Sequence, residues 1–244
     1  MQRLIVIKAW QDNLEGKSVA KKGLFVLYAI LISLLVIAGG LLWYSMSSNL
    51  KVGGVISFGK YEWRVLAMQK GKALIISEMV IENRPYDENE DATWEQCALR
   101  KYLNGEFYNR FSADERSRIE VTANTNNDNP WYGISGGEAT EDRIFLLSLE
   151  EAAKYFGDSG QLTNGPLTTF TGKNTFIDDK YNSARKAVNT NHKPSWWWLR
   201  SPGSFDGSAS LVLDDGTILL YGFGVDSRTG GVRPALWLNF RQKK

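Results

Sequence analysis

From Gly23 to Leu50 the chain carries no charged residue, and the stretch Leu24–Tyr44 is almost wholly aliphatic or aromatic. Few structures can absorb such a run. A helix rising ~1.5 Å per residue crosses a ~30 Å hydrocarbon layer with about 20 residues. Within lipid, a helix satisfies all of its own backbone N–H and C=O groups. Trp43 and Tyr44 fall at one end, where amphipathic rings sit at headgroup level. A buried core helix is rarely this long and uncharged. A signal peptide cleaved near Ser45-Met46-Ser47 is the closer rival, although its apolar part normally spans only about 7–15 residues. The reading is therefore a single-pass anchor, a transmembrane helix over residues 23–46 with its apolar run at Leu24–Met46.

The flanks orient it. Residues 1–22 hold Arg3, Lys8, Lys17, Lys21 and Lys22 against Asp12 and Glu15, whereas the far side offers Lys51 and then nothing basic before Lys60. The excess of basic residues places the N-terminus in the cytoplasm. This predicts a cytoplasmic tail (1–22), the helix (23–46), a linker (47–54) and an extracytoplasmic globular domain (55–241) of a cell-membrane protein. About 195 residues beyond the anchor suit one domain with a core that needs no metal or disulfide. The balance of 29 basic and 27 acidic residues offers no concentrated basic face, so nucleic acid is not an expected partner. Cys97 is the single cysteine, so no intrachain disulfide can form.

Local patterns then outline the domain. Tyr61, Trp63 and Val65 alternate with Glu62, Arg64 and Leu66, a strand of period two. A turn at Gln69–Lys72 returns the chain as a second strand at Ala73–Ser77. Thr93-Trp94-Glu95-Gln96, Ser112-Ala113-Asp114-Glu115 and Ser148-Leu149-Glu150-Glu151 each read as a capping box opening a short helix. The first helix is expected to stop at Asn104-Gly105 and the third at Gly157. Asn124–Glu141 and Gly157–Ser195 are long loops, which form either binding surfaces or lids, or a variable surface without a ligand. Strands are expected at Trp196–Leu199, Ala209–Leu213 and Thr217–Tyr221, with Asp214-Asp215-Gly216 as a hairpin turn, and a last strand at Val232–Phe240. Pro234 favours an edge or a bulge in that strand.

Several segments together resemble the bacterial domain-of-unknown-function family 6273. They are Phe58–Leu66, Thr93-Trp94 leading to Leu99–Asn104, Phe145–Ser148, Trp197–Gly203 and Gly231–Leu236. The likeness spans about residues 52–240. It implies no activity. The element order is in turn similar to the C-type-lectin-like fold, with terminal strands sharing a sheet, helices early and a strand-rich half late. The expected class is thus α+β: a C-type-lectin-like mixed domain with antiparallel sheets, two to three short helices and long loops, preceded by one transmembrane helix.

Four residues stand out as ligand-binding candidates. In Trp196-Trp197-Trp198 the outer two rings share one strand face and Trp197 takes the other. Trp197 is then either a stacking platform for a sugar or peptide, or part of the core. Arg200 and Arg233 follow strand residues and would either clamp an anion through their planar forks or tie loops together. Asp206, with Asp214, Asp215 and Asp226, offers hard oxygen ligands that would suit calcium, although Asp214–Gly216 is already explained as a turn and the Glu-Pro-Asn and Trp-Asn-Asp signatures of sugar-binding C-type lectins are missing. No other cofactor and no Cys/His metal site is expected.

Catalysis finds little footing. His192 is the lone histidine, and Cys97 reads as a small core residue. Formylglycine-generating oxidases, which share the lectin-like topology, rely on a cysteine pair that one cysteine cannot supply. The expected function is a membrane-anchored binding or interaction module of a bacterial surface protein, for a cell-wall glycan, a peptide or a protein. The alternative is an enzyme on the oxidase-related scaffold or a carboxylate-based hydrolase.

Overall fold

The computed structural model describes residues 30–34, 50–89, 93–164 and 176–240. The chain divides into two compact units, Met1–Asn49 and Leu50–Lys244. The expected cytoplasmic tail and most of the expected membrane segment lie outside the described residues. Residues 30–34 of that segment are described, and they are helical. Among the described residues no helix is long and apolar enough to cross a membrane.

The second unit is a mixed α+β domain with antiparallel sheets and a few short helices. Strand β1 (Val55–Phe58), β2 (Tyr61–Gln69), β3 (Lys72–Ser77) and β12 (Ala235–Asn239) form one antiparallel sheet in the order β1-β2-β3-β12. First and last strands thus share a sheet. The pairing starts before β1, because Val65 donates to the Gly54 carbonyl (2.9 Å) and Gly53 donates to that of Val65 (2.8 Å). Trp63 and Val65 are buried, as their alternation demands. Leu66 is buried too, although alternation would turn it outward, because the β2–β3 register slips between Val65 and Ala67.

The second sheet has six strands in the order β4-β11-β8-β9-β10-β7: β4 (Glu82–Asn83), β11 (Gly231–Val232), β8 (Trp197–Pro202), β9 (Ser208–Val212), β10 (Ile218–Gly224) and β7 (Phe176–Ile177). All its neighbours run antiparallel except β11 and β8, which meet in parallel at Gly231 and Trp197. A small third sheet joins β5 (Thr122–Asn124) to β6 (Thr140–Asp142).

The expected last strand, Val232–Phe240, divides. Its first part, as β11, belongs to the six-stranded sheet and its second, as β12, to the four-stranded one. Arg233 and Pro234 make the crossing. Proline has no N–H for a ladder, yet the Pro234 carbonyl accepts from the Ser77 N–H at 2.9 Å.

Two of the three capping boxes open helices as expected. Ser112 caps α2 (Ala113–Arg118), and Ser148 caps α3 (Leu149–Phe156), which ends at Gly157. Leu149, Ala152, Ala153 and Phe156 form a buried i, i+3, i+4, i+7 stripe on α3. The first box fails. Thr93–Gln96 is a turn, and α1 (Ala98–Tyr102) begins after Cys97, whose sulfur accepts from the Arg100 N–H at 3.3 Å.

Asn104-Gly105 does not stop that helix either. The chain continues as a π-turn over Leu103–Phe107, burying Leu103 and Phe107. Meanwhile the Asn104 side chain donates to the Ile144 carbonyl and accepts from the Arg143 N–H (2.9 and 2.8 Å). A local stop signal yields here to burial and to an amide spent on a distant loop. A 3-10 turn at Tyr108–Arg110 and two single-turn helices, α4 (Gln161–Asn164) and α5 (Asn182–Arg185), are the remaining elements of this unit among the described residues.

Candidate ligand-binding cleft

The β8–β9 ladder slips between Trp198 and Pro202, and the β9–β10 ladder slips between Leu219 and Phe223. Each slip leaves carbonyls without ladder partners, and buried polar side chains answer them. The Asn129 amide donates to the carbonyls of Pro202, Gly203 and Leu220 (2.9, 3.1 and 3.0 Å), while its own oxygen accepts from the Trp131 N–H (3.0 Å). The Ser210 hydroxyl adds a bond to the Pro202 carbonyl (2.7 Å). This pins the loop 125–139 to the end of β8 and to Leu220 within β10.

Between the pinned loop and the β8–β9 turn lies a cleft of about 340 Å³, at the small end of ligand-sized sites. Tyr86 and Trp94 are buried aromatic residues in its lining, their ring centroids 6.1 Å apart. The Tyr86 hydroxyl donates to the Arg200 carbonyl (2.9 Å), and burial pushes its pKa well above the ordinary phenolic value. The Trp94 indole donates to Asp142 (3.0 Å). Ser135 and Gly136 come from the pinned loop. At Gly136 any larger residue would collide with main chain, since a Cβ would fall 2.3 Å from the Asn126 carbonyl oxygen. Pro202, Asp206 and Ser208 come from the β8–β9 side. Thr93 contributes a buried hydroxyl oxygen with no hydrogen-bond partner among the described residues.

The four sequence candidates separate. Arg200 and Asp206 both line this cleft. Asp206 is exposed and sits beside exposed Phe205. The guanidinium of Arg200 is largely spent: it donates to Asn126 Oδ1 (3.2 Å), to the carbonyls of Leu146 (2.8 Å) and Thr125 (3.3 Å), and to Glu151. It ties α3 and the pinned loop to β8.

Trp197 lies fully within the core, with its indole donating to the Arg185 carbonyl (3.2 Å) and Phe156 set edge-on at 6.1 Å. It presents no face to solvent, so the stacking role does not fall on it. Arg233 is buried at the crossing between the sheets. It donates to the carbonyls of Ser77 (2.9 Å), Glu78 and Arg185 (3.4 Å each) and stacks over Trp197. Burial brings its pKa down to about 10. Where β3 and β11 leave their ladders, this fork supplies donors the backbone lacks, and none of it reaches an external anion.

The structure also reveals residues that pattern reading passed over. Tyr221 and Phe223 face outward on β10, 46% and 40% exposed, and Phe205 is 46% exposed on the neighbouring turn. Phe205 and Tyr132 both pack edge-on to Tyr221 (6.4 and 6.3 Å), and Trp196 packs edge-on to Phe223 (5.3 Å). The signal was present in the alternation Leu219-Leu220-Tyr221-Gly222-Phe223, whose odd positions share one face.

Among the described residues no group of three or more His, Cys, Asp or Glu side chains converges to hold a metal. Asp215 instead serves the β9–β10 turn, accepting from the Thr217 N–H at 2.9 Å. Cys97 is buried, and burial pushes its thiol up to about 12. His192 is exposed in a turn, with φ of 58°.

A family model described as a domain of unknown function, DUF6273, matches residues 70–240. The chain belongs to this family. The matched DUF6273 region takes in every described residue lining the cleft and the whole six-stranded sheet, while β1 and β2 precede it. No curated protein and no solved structure matches the chain.

Proposed function

We propose that this DUF6273 protein is a membrane-anchored binding module of the bacterial surface, with its N-terminus in the cytoplasm and its domain outside, and that the cleft seats a cell-wall glycan. The observation that carries the reading is the cleft itself. The exposed Ser135 hydroxyl and the exposed Asp206 carboxylate meet in a site that also contains aromatic residues. Hydroxyl-rich ligands of modest size suit such a mixture, because each ligand O–H or N–H finds an acceptor. Among the described residues lining the site the only cation is Arg200, whose guanidinium is largely spent, so an anionic ligand is poorly matched.

Two further features support the placement and the scaffold. Ile30, Leu31, Ile32 and Leu34 form a helical stretch with 50–60% exposed apolar side chains, and the Ser33 hydroxyl returns to the Ile30 carbonyl (2.8 Å). That is how a lone hydroxyl is satisfied on an apolar helix surface. A lectin-like scaffold is favoured by terminal strands sharing one sheet, helices following the first hairpin, and a later strand-rich half with long loops. Fold analogy alone assigns no ligand.

The test uses the full-length protein in membranes. Isolated wall material should retain it, and Ser135→Trp, which fills the cleft from an exposed position, should lower retention about tenfold or more. Protease added to intact cells should release the outer domain while the N-terminal tail stays intact. Undiminished retention of the Ser135→Trp variant would sink the cleft assignment, and protection of the outer domain would overturn the topology.

A further inference from the structure

The cleft continues onto the aromatic face through a single short turn. Residues 203–207 connect β8 to β9, and this turn is braced at both ends. The Ser204 N–H donates to the Tyr221 carbonyl (2.8 Å), and the Ser208 hydroxyl accepts from the Phe205 N–H (3.1 Å) while donating to the Phe205 carbonyl (2.7 Å). The brace places consecutive residues in two settings: Asp206 lines the cleft, and Phe205 packs beside Tyr221. From there the outward rings run along β10 to Phe223.

We infer that the ligand is an extended glycan chain of several β-linked sugar units. One unit occupies the cleft, and the following units stack across Phe205, Tyr221 and Phe223. This rests on the cleft reading and deepens it.

Three observations favour a chain of this chemistry. Large exposed rings grouped on one face mark an interaction surface rather than scattered surface residues. Sugars with equatorial substituents present flat C–H faces to such rings, and their hydroxyl or acetamido groups suit the hydroxyls and carboxylate of the cleft. Edge-on packing of Phe205 and Tyr132 against Tyr221 orients the rings before any ligand arrives, which lowers the ordering cost of binding.

The test is a length series. β-1,4-linked N-acetylglucosamine oligomers of one to six units are titrated against the full chain in detergent, followed by calorimetry. Affinity should rise about tenfold or more from the dimer to the hexamer. Tyr221→Ala and Phe205→Ala should remove that rise while leaving binding of the shortest oligomers intact, and Tyr221→Phe should retain it. Because these rings are exposed, their removal leaves the core untouched, and circular dichroism verifies this.

Equal affinity for dimer and hexamer, with Ser135→Trp still abolishing both, would overturn the chain inference and leave the cleft reading standing. Binding of no oligomer would overturn both. Binding of a proline-rich decapeptide in place of the oligomers, lost in Tyr221→Ala, would assign the face to peptides and overturn the glycan.

Discussion

The indole nitrogen of Trp94 donates to a carboxylate oxygen of Asp142 at 3.0 Å, joining the cleft lining to the third sheet. Asp142 is buried and also accepts from Asn124 (2.9 Å), Thr140 (2.7 Å) and Arg100 (2.6 Å). One carboxylate thus holds the turn before α1, α1 itself, β5 and β6 together.

Replacing Asp142 by Ala would strand those donors and leave the largely buried Arg100 cation without its partner. The expected loss is roughly 3–5 kcal/mol of stability, the usual scale for breaking a buried pair from one side. Chemical denaturation checks it. A loss below about 1 kcal/mol, the scale of an exposed pair, would show that the network is not a structural hub.

Asp179 and Arg185 predict an acid limb in the stability curve. Burial by itself would raise the Asp179 carboxyl. Hydrogen bonds from Arg185 (2.5 Å), Ser159 and the Tyr181 N–H, with the nearby Arg185 charge, outweigh this and hold it below the usual carboxylate value. The native state therefore releases this proton more readily than the unfolded chain does. Its stabilising contribution is complete above the unfolded value of about 3.9 and is lost as pH falls through the lower native value. Asp179→Asn should lower stability at pH 7 and flatten the curve below about pH 4. An unchanged acid limb would remove Asp179 from the account.

Cys97 behaves in the opposite sense. Its thiol is held up at about 12 chiefly by burial, against about 8.5 for a free cysteine. At pH 8 a thiol-specific reagent should find no reactive group in the native protein and one per chain after denaturation. Between about pH 8.5 and 12 the unfolded chain loses this proton first, so stability falls with rising pH. Cys97→Ser keeps a side-chain acceptor at the start of α1 and should remove that part of the alkaline slope. Rapid labelling of the native thiol would contradict the burial.

Local rules were reliable where local bonds decide. Ser112 and Ser148 open helices because each capping box closes within four residues. Thr93 fails by the same rule, because its segment is held from a distance by the Trp94–Asp142 bond and the helix start passes to Cys97. Arg200 and Arg233 read equally well as clamps or as ties. Nothing in a list of neighbours distinguishes them, since the carbonyls they serve lie as far as 156 positions away in the chain.

By itself the amino-acid sequence determined the uncharged apolar run, the mixed class of the domain, most of its strands and its family. These depend on periodicity, on turn chemistry and on motifs that survive without knowledge of contacts. Only the tertiary structure decided which tryptophan is core, that the last strand serves two sheets, and that Asp206 and Phe205 face different parts of one surface. The physical reason is the register slips in the six-stranded sheet. A slip leaves the local pattern nearly unchanged, yet it moves carbonyls out of the ladder, calls Asn129 and Ser210 in to satisfy them, and positions the loop that forms the cleft.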